Sequence, residues 1–178
     1  MNPTLQRFTL PTRVSVRAAV LLLAAAFILP FLVHLLPAYE GVPMGARLLP
    51  MFIVPFIAVA FFNVTLGLVI GGISPLMNVM LTGSPDWQFV VVLSLELMLF
   101  AIIVSRFLKM PGVKWVAAPV AYMAAKVASL ALLFIVPLVA NIEPAQFFIN
   151  SMVNAWLGIL LLGVVNILVL RYQMSKAK

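Results

Sequence analysis

Two ionisable side chains, Glu96 and Lys126, each stand well inside a long apolar stretch of the chain. A charge at the centre of a membrane helix costs on the order of 2.5–3.5 kcal/mol, so it persists where it is paired or lines a cavity. Two readings follow: Glu96 and Lys126 form a structural ion pair, or they meet the charges of a ligand. Asn150 and Asn154 are four residues apart and share one helical face. They serve either as hydrogen-bonding glue between helices or as ligand contacts. Asn78 lies near the end of another apolar stretch and Arg47 at the mouth of one. Together these groups suit recognition of a small polar molecule: Glu96 for a cationic group, Arg47 or Lys126 for a carboxylate, the amides for either. A few polar groups converging in an apolar wall are the usual make-up of a small-molecule pocket. His34, the one histidine, reads as a headgroup-interface residue. Trp87 and Trp115 read as interfacial anchors, and Trp156 as a deeper packing residue or a stacking surface.

Catalytic patterns are missing from the same sequence. No HExxH and no P-loop occurs, so zinc proteolysis and ATP hydrolysis have no residues to carry them. Cysteine is absent, which removes disulfides and thiolate metal sites. No metal, cofactor or enzymatic activity is expected. A net charge of +7 raises nucleic acid as a partner, but the basic residues cluster at the ends of apolar runs and form no stripe. Nucleic acid is therefore not expected.

The elements that hold these groups must be membrane helices. Of the 178 residues, 65% are hydrophobic and 8% charged, against roughly 25% charged in a soluble domain. A mean hydropathy of +1.23 leaves too little polar surface for a water-facing exterior. Six stretches approach the roughly 20 residues needed to span the hydrocarbon: about 16–36, 48–62, 65–81, 89–108, 115–140 and 147–170. The first is longer than a signal-peptide core and is expected to be retained. Strands are not expected, because an open sheet edge cannot be satisfied in lipid. The expectation is a single all-α transmembrane domain, a compact bundle of six helices.

Turn chemistry separates the runs: Tyr39 to Pro43, Gly83-Ser84-Pro85-Asp86, Met110-Pro111-Gly112 and Asn141 to Pro144. The break at Phe61 to Val64 is weak, so runs two and three form a tight hairpin or one is partly re-entrant. With the N-terminus inside, cytoplasmic segments hold Arg7, Arg13, Arg17, Arg106, Lys109, Lys114, Arg171, Lys176 and Lys178, nine of the eleven Lys and Arg. Outer segments hold Glu40, Asp86 and Glu143. Basic residues accumulate on the cytoplasmic side, which predicts both termini there and the polar groups mostly in the outer half. Gly67 and Gly71, and Ala117, Ala121 and Ala125, form small-residue faces for close helix packing.

From Gly45 to about Leu108 the chain resembles the substrate-specific S components of energy-coupling factor transporters, bacterial vitamin importers of the ABC class. The resemblance rests on Leu48-Leu49-Pro50-Met51 with Pro55, on Gly67, Gly71 and Pro75, on Leu81-Thr82-Gly83-Ser84-Pro85, and on Glu96-Leu97. Phe52 stands where many members have histidine. The resemblance implies a bacterial cytoplasmic-membrane subunit that captures a vitamin or related small molecule from outside. A transmembrane coupling subunit and two ATPases would supply the energy. It brings Met51 into the candidate site beside Glu96, Lys126, Asn78, Asn150, Asn154 and Arg47. It also implies docking on the coupling subunit through the small residues of the first helix, Ala18, Ala25 and Ala26, although none of that helix's alanines are spaced by four. A membrane scaffold resembling the rod-shape determining D protein, and a stand-alone secondary transporter or membrane enzyme, are the alternatives.

Overall fold

The computed structural model describes residues 16–83, 86–135 and 143–176. Arg7, Arg13, the Ser84-Pro85 turn, the 136–140 end of the fifth expected span, the Asn141 turn and Lys178 lie outside the described residues. The elements are α1 (Val16–His34), α2 (Met44–Leu48), α3 (Pro50–Phe61), α4 (Val64–Thr82), α5 (Trp87–Phe107), a 3-10 turn (Lys114–Val116), α6 (Ala117–Ile135), α7 (Pro144–Asn154) and α8 (Trp156–Lys176). The described chain is all-helical. Six of its helical stretches are long and apolar enough to cross a membrane: α1, α2 with α3, α4, α5, α6 with the preceding turn, and α8.

Local sequence explains most helix ends. Asn63 caps α4, its Oδ1 accepting from the Leu66 amide at 2.8 Å. That cap closes the weak break as a two-residue hairpin turn. Gly83 ends α4 in the left-handed conformation that glycine tolerates. Two breaks are less obvious. Leu49 takes a left-handed φ of 52° between α2 and α3, and Pro50 follows as the first residue of α3, where its missing N–H is no loss. The expected second span is thus a broken helix. The expected sixth span also divides, into α7 and α8 at Ala155.

The core lies among α3, α5, α6 and α8. Phe52 sets its ring edge-on to both Phe100 and Tyr122, with centroids 5.2 and 4.9 Å apart. Ala117, Ala121 and Ala125 are fully buried in this core, so that small-residue face packs the chain against itself. Gly71 does the same for α4 and α5: a Cβ there would stand 3.1 Å from the Leu97 carbonyl carbon. Asn166 joins α8 to the start of α6. It accepts from the Ala118 amide at 3.0 Å and donates to the Lys114 and Trp115 carbonyls at 2.9 and 2.8 Å. One buried side chain thus bonds three backbone groups at the start of α6.

Docking through Ala26 needs correction. Ala26 is buried with Val54, Ala58 and Ile70, and Ala25 packs against the same cluster. Their small size admits α3 and α4, which removes Ala26 from any surface. The exposed side of α1 carries Val20, Leu21, Ile28 and Leu32 instead.

At Gly158, α8 crosses the α2–α3 junction so closely that a Cβ would stand 2.8 Å from the Arg47 carbonyl oxygen and 2.9 Å from the Leu48 carbonyl carbon. Gly158→Ala is expected to cost about 1–3 kcal/mol by overpacking, read as a lower thermal unfolding midpoint in detergent. Gly163→Ala, where the nearest neighbour is 4.0 Å away, leaves the midpoint unchanged or raised. Equal effects would mean that α8 does not approach the junction closely.

A candidate small-molecule site at one end of the helices

A cavity of about 610 Å3 opens where α1 finishes and α2, α5 and α7 begin. Its size falls within the roughly 300–1,000 Å3 of small-molecule sites. Leu49, Pro50, Met51 and Phe52 form one wall, Phe89 and Leu93 of α5 another, and Tyr122 and Lys126 of α6 its deeper part. His34 and Pro43 stand near the loop that follows α1.

The fourth wall is α7. Glu143 and, along the helix, Gln146, Phe147, Asn150, Ser151 and Asn154 all line the cavity. Their spacing of three and four residues places them on one face. Ile149 and Val153, on the other side, are 51% and 66% exposed. In water, an amphipathic helix turns its apolar face inward. Here the amides line the cavity while Ile149 and Val153 point away from it, the reverse of that pattern.

Among the described residues, Lys126 is the one basic ammonium or guanidinium on the cavity wall. Its Nζ donates to Glu96 Oε1 at 3.0 Å and stands 2.8 Å from Oε2. The side chains are 6% and 1% exposed. Ser129 donates a further hydrogen bond to Oε1 at 2.9 Å. The ammonium also lies 5.2 Å from the centroid of Phe147, a cation–π contact that ties α6 to α7. Phe147 stacks on Phe89 of α5 at 5.6 Å with the planes 25° apart. His34 donates from Nδ1 to the Pro30 carbonyl at 3.0 Å; in the neutral ring this leaves Nε2 an acceptor.

Of the residues expected at a site, the structure brings Met51, Lys126, Asn150 and Asn154 to the cavity. Glu96 stands behind Lys126 as its ion-pair partner rather than on the wall. Asn78 is buried in α4 and lines no part of the cavity. Arg47 is engaged elsewhere: it donates to Glu40 Oε2 and to the Tyr39 carbonyl, both at 3.1 Å, and lies over the Tyr39 ring. It thereby anchors the loop between α1 and α2. Trp156 is exposed and lines no part of the cavity.

Sequence reasoning missed Gln146, Ser151 and Tyr122. The first two carry a readable signal: Gln146 lies one turn before Asn150, and Ser151 three residues before Asn154, on the same helical face. Tyr122 carries none, because a tyrosine in an apolar helix equally suits packing. Comparison with protein-family models, with curated proteins and with solved structures gives no match.

The buried pair generates a stability test. Glu96→Leu leaves Lys126 buried without its counter-charge and is expected to cost about 3–5 kcal/mol. The double change Glu96→Leu with Lys126→Met restores most of that loss. A double variant as unstable as the sum of its single changes would show that the two charges do not interact.

Proposed function

We propose that this chain is the substrate-binding membrane subunit of an energy-coupling-factor type importer. It captures a small molecule, a vitamin or related compound, from outside and delivers it through a transmembrane coupling subunit and two ATPases. The observation that carries this reading is the inward-facing polar side of α7 across from Lys126, in a cavity of about 610 Å3. A scaffold protein has no use for amides turned into a cavity and away from its partners. A catalyst would need a nucleophile joined to an acid–base partner; His34, Glu143 and Ser151 line the cavity with the amides, aromatic rings and paired lysine, but among the described residues no hydrogen bond joins Ser151 to His34 or Glu143. The chain also has no nucleotide-binding loop, so power for uphill transport has to come from a partner or an ion gradient, and this reading assigns it to partner ATPases.

The reading places the cavity on the outer side of a bacterial cytoplasmic membrane. Arg106, Lys109, Lys114, Arg171 and Lys176 fall at the helix ends remote from the cavity, while Glu40, Asp86 and Glu143 fall at the cavity end. The positive-inside rule then sets both termini in the cytoplasm. Because the chain has no cysteine, single replacements report orientation cleanly. In intact cells a membrane-impermeant maleimide is expected to label Glu143→Cys and to spare Lys109→Cys until the membrane is opened. The opposite pattern would invert the topology and end the import reading.

Binding itself is tested by purifying the full chain in detergent and identifying retained small molecules by native mass spectrometry. A specific molecule is expected to stay bound without ATP. Asn154→Ala is expected to weaken its binding by about 1–3 kcal/mol, the cost of leaving a buried polar partner unpaired. Retention unchanged in both Asn150→Ala and Asn154→Ala would show that the molecule sits elsewhere.

A further inference from the structure

We propose that the cavity selects an uncharged, planar ring compound bearing adjacent N–H and C=O groups, and discriminates against carboxylates. This deepens the cargo-binding reading and rests on it.

The charge balance of the wall is the first argument. An isolated lysine in an apolar cavity would call for an anion. Lys126 is not isolated: both Glu96 oxygens lie within 3.0 Å of its ammonium. The pair has no net charge, and its remaining polarity is that of a dipole. Glu143 is the acid on the wall and His34 its imidazole, so an incoming carboxylate meets a neutral pair and a like charge. Desolvating that carboxylate would be compensated by neutral donors alone, with no unpaired ammonium or guanidinium to meet its charge.

The polar groups that remain are of a different kind. Gln146, Asn150 and Asn154 are amides, each with a carbonyl acceptor beside an NH2 donor. Gln146 Nε2 already donates to Asn150 Oδ1 at 3.0 Å, which orients the pair along α7. A lactam or cyclic imide presents the same donor and acceptor side by side and can exchange both with one amide. Tyr122 lines the cavity although the residue is only 1% exposed, and a phenol hydroxyl at a cavity wall can both donate to and accept from a ligand. Flat faces are provided by Phe89 and Phe147, already parallel to within 25°, and by Phe52 beside Tyr122.

The test uses the purified full chain, freed of bound molecules by washing in detergent, and three probes of matched ring size. Quinazolinedione is uncharged with two N–H/C=O edges. Its N,N-dimethyl derivative keeps the ring and loses the donors. Naphthoate replaces the edges with a carboxylate. Equilibrium dialysis is expected to rank quinazolinedione first, with each of the other two weaker by about tenfold or more, as follows when a polar site is left unpaired. Tyr122→Phe, which keeps the ring and its packing, is expected to weaken quinazolinedione by about fivefold and to leave the dimethyl derivative unchanged. Glu96→Gln removes the counter-charge of Lys126 and is expected to shift preference toward naphthoate by about tenfold or more.

Naphthoate binding the unaltered chain as tightly as quinazolinedione overturns the charge argument. The dimethyl derivative binding equally well overturns the edge argument. No binding of quinazolinedione at millimolar concentration overturns the ligand class as a whole. None of these results touches the cargo-binding reading, which stands or falls on whether the chain retains a molecule that Asn154→Ala releases.

Discussion

The buried contact between Glu96 and Lys126 governs how the rest of the chain can be arranged. Either residue alone would be a costly charge at the centre of a membrane helix. Brought together at 2.8 Å, with Ser129 donating to the same carboxylate, they leave no net charge inside and pin α5 to α6 midway along both helices. The contact also fixes the direction of Lys126. Its ammonium lies over Phe147, so α7 is drawn toward α6 by a ring rather than by a second acid. A single ion pair therefore sets the spacing of three of the helices that bound the cavity.

The cavity exists because α7 and α8 behave differently although they are nearly continuous. Gly158, at the start of α8, lets that helix press against the α2–α3 junction, and Asn166 ties it to the start of α6. No residue of α7 is buried. It touches the core through Met152 and Phe147, and the cavity opens beside it. The change of packing falls at Ala155, which is itself buried at the bend. Close approach on one side of the bend and looser packing on the other are both consequences of side-chain size: glycine where backbones touch, amides and phenylalanine where they do not.

How much of this was legible in the sequence depends on the physics of each feature. The six apolar stretches were plain, because length and apolarity are what lipid demands of a spanning helix. The intrachain role of Ala117, Ala121 and Ala125 and of Gly71 was half legible: spacing shows that a close contact exists, not with what. Glu96 and Lys126 were legible as residues that must be accounted for, and the sequence left both pairing and ligand binding open. Distance decides, because thirty residues of chain separate them. Leu49 was not legible at all. Leucine disfavours a left-handed φ, and only the fixed geometry of Pro50 and the nearness of α8 hold it there. Arg47 was misleading for a related reason. Glu40 pairs with it through one guanidinium nitrogen, and Glu40 lies beside Gly41 in a turn with positive φ at both residues, a tight reversal that puts the acid back over the arginine.

An open cavity of this size with amides and a phenol on its walls does not remain dry. Buried polar groups without protein partners take up water when there is room for it. Any ligand must therefore replace those hydrogen bonds as it enters, and affinity comes from the groups that do so with matched geometry rather than from apolar area alone. The aromatic walls reward almost any flat molecule. The α7 amides and Tyr122 reward only one that returns donor for donor and acceptor for acceptor. In a cavity whose single ammonium among the described residues is already paired with a carboxylate, that exchange would be the remaining physical source of specificity for a bound molecule.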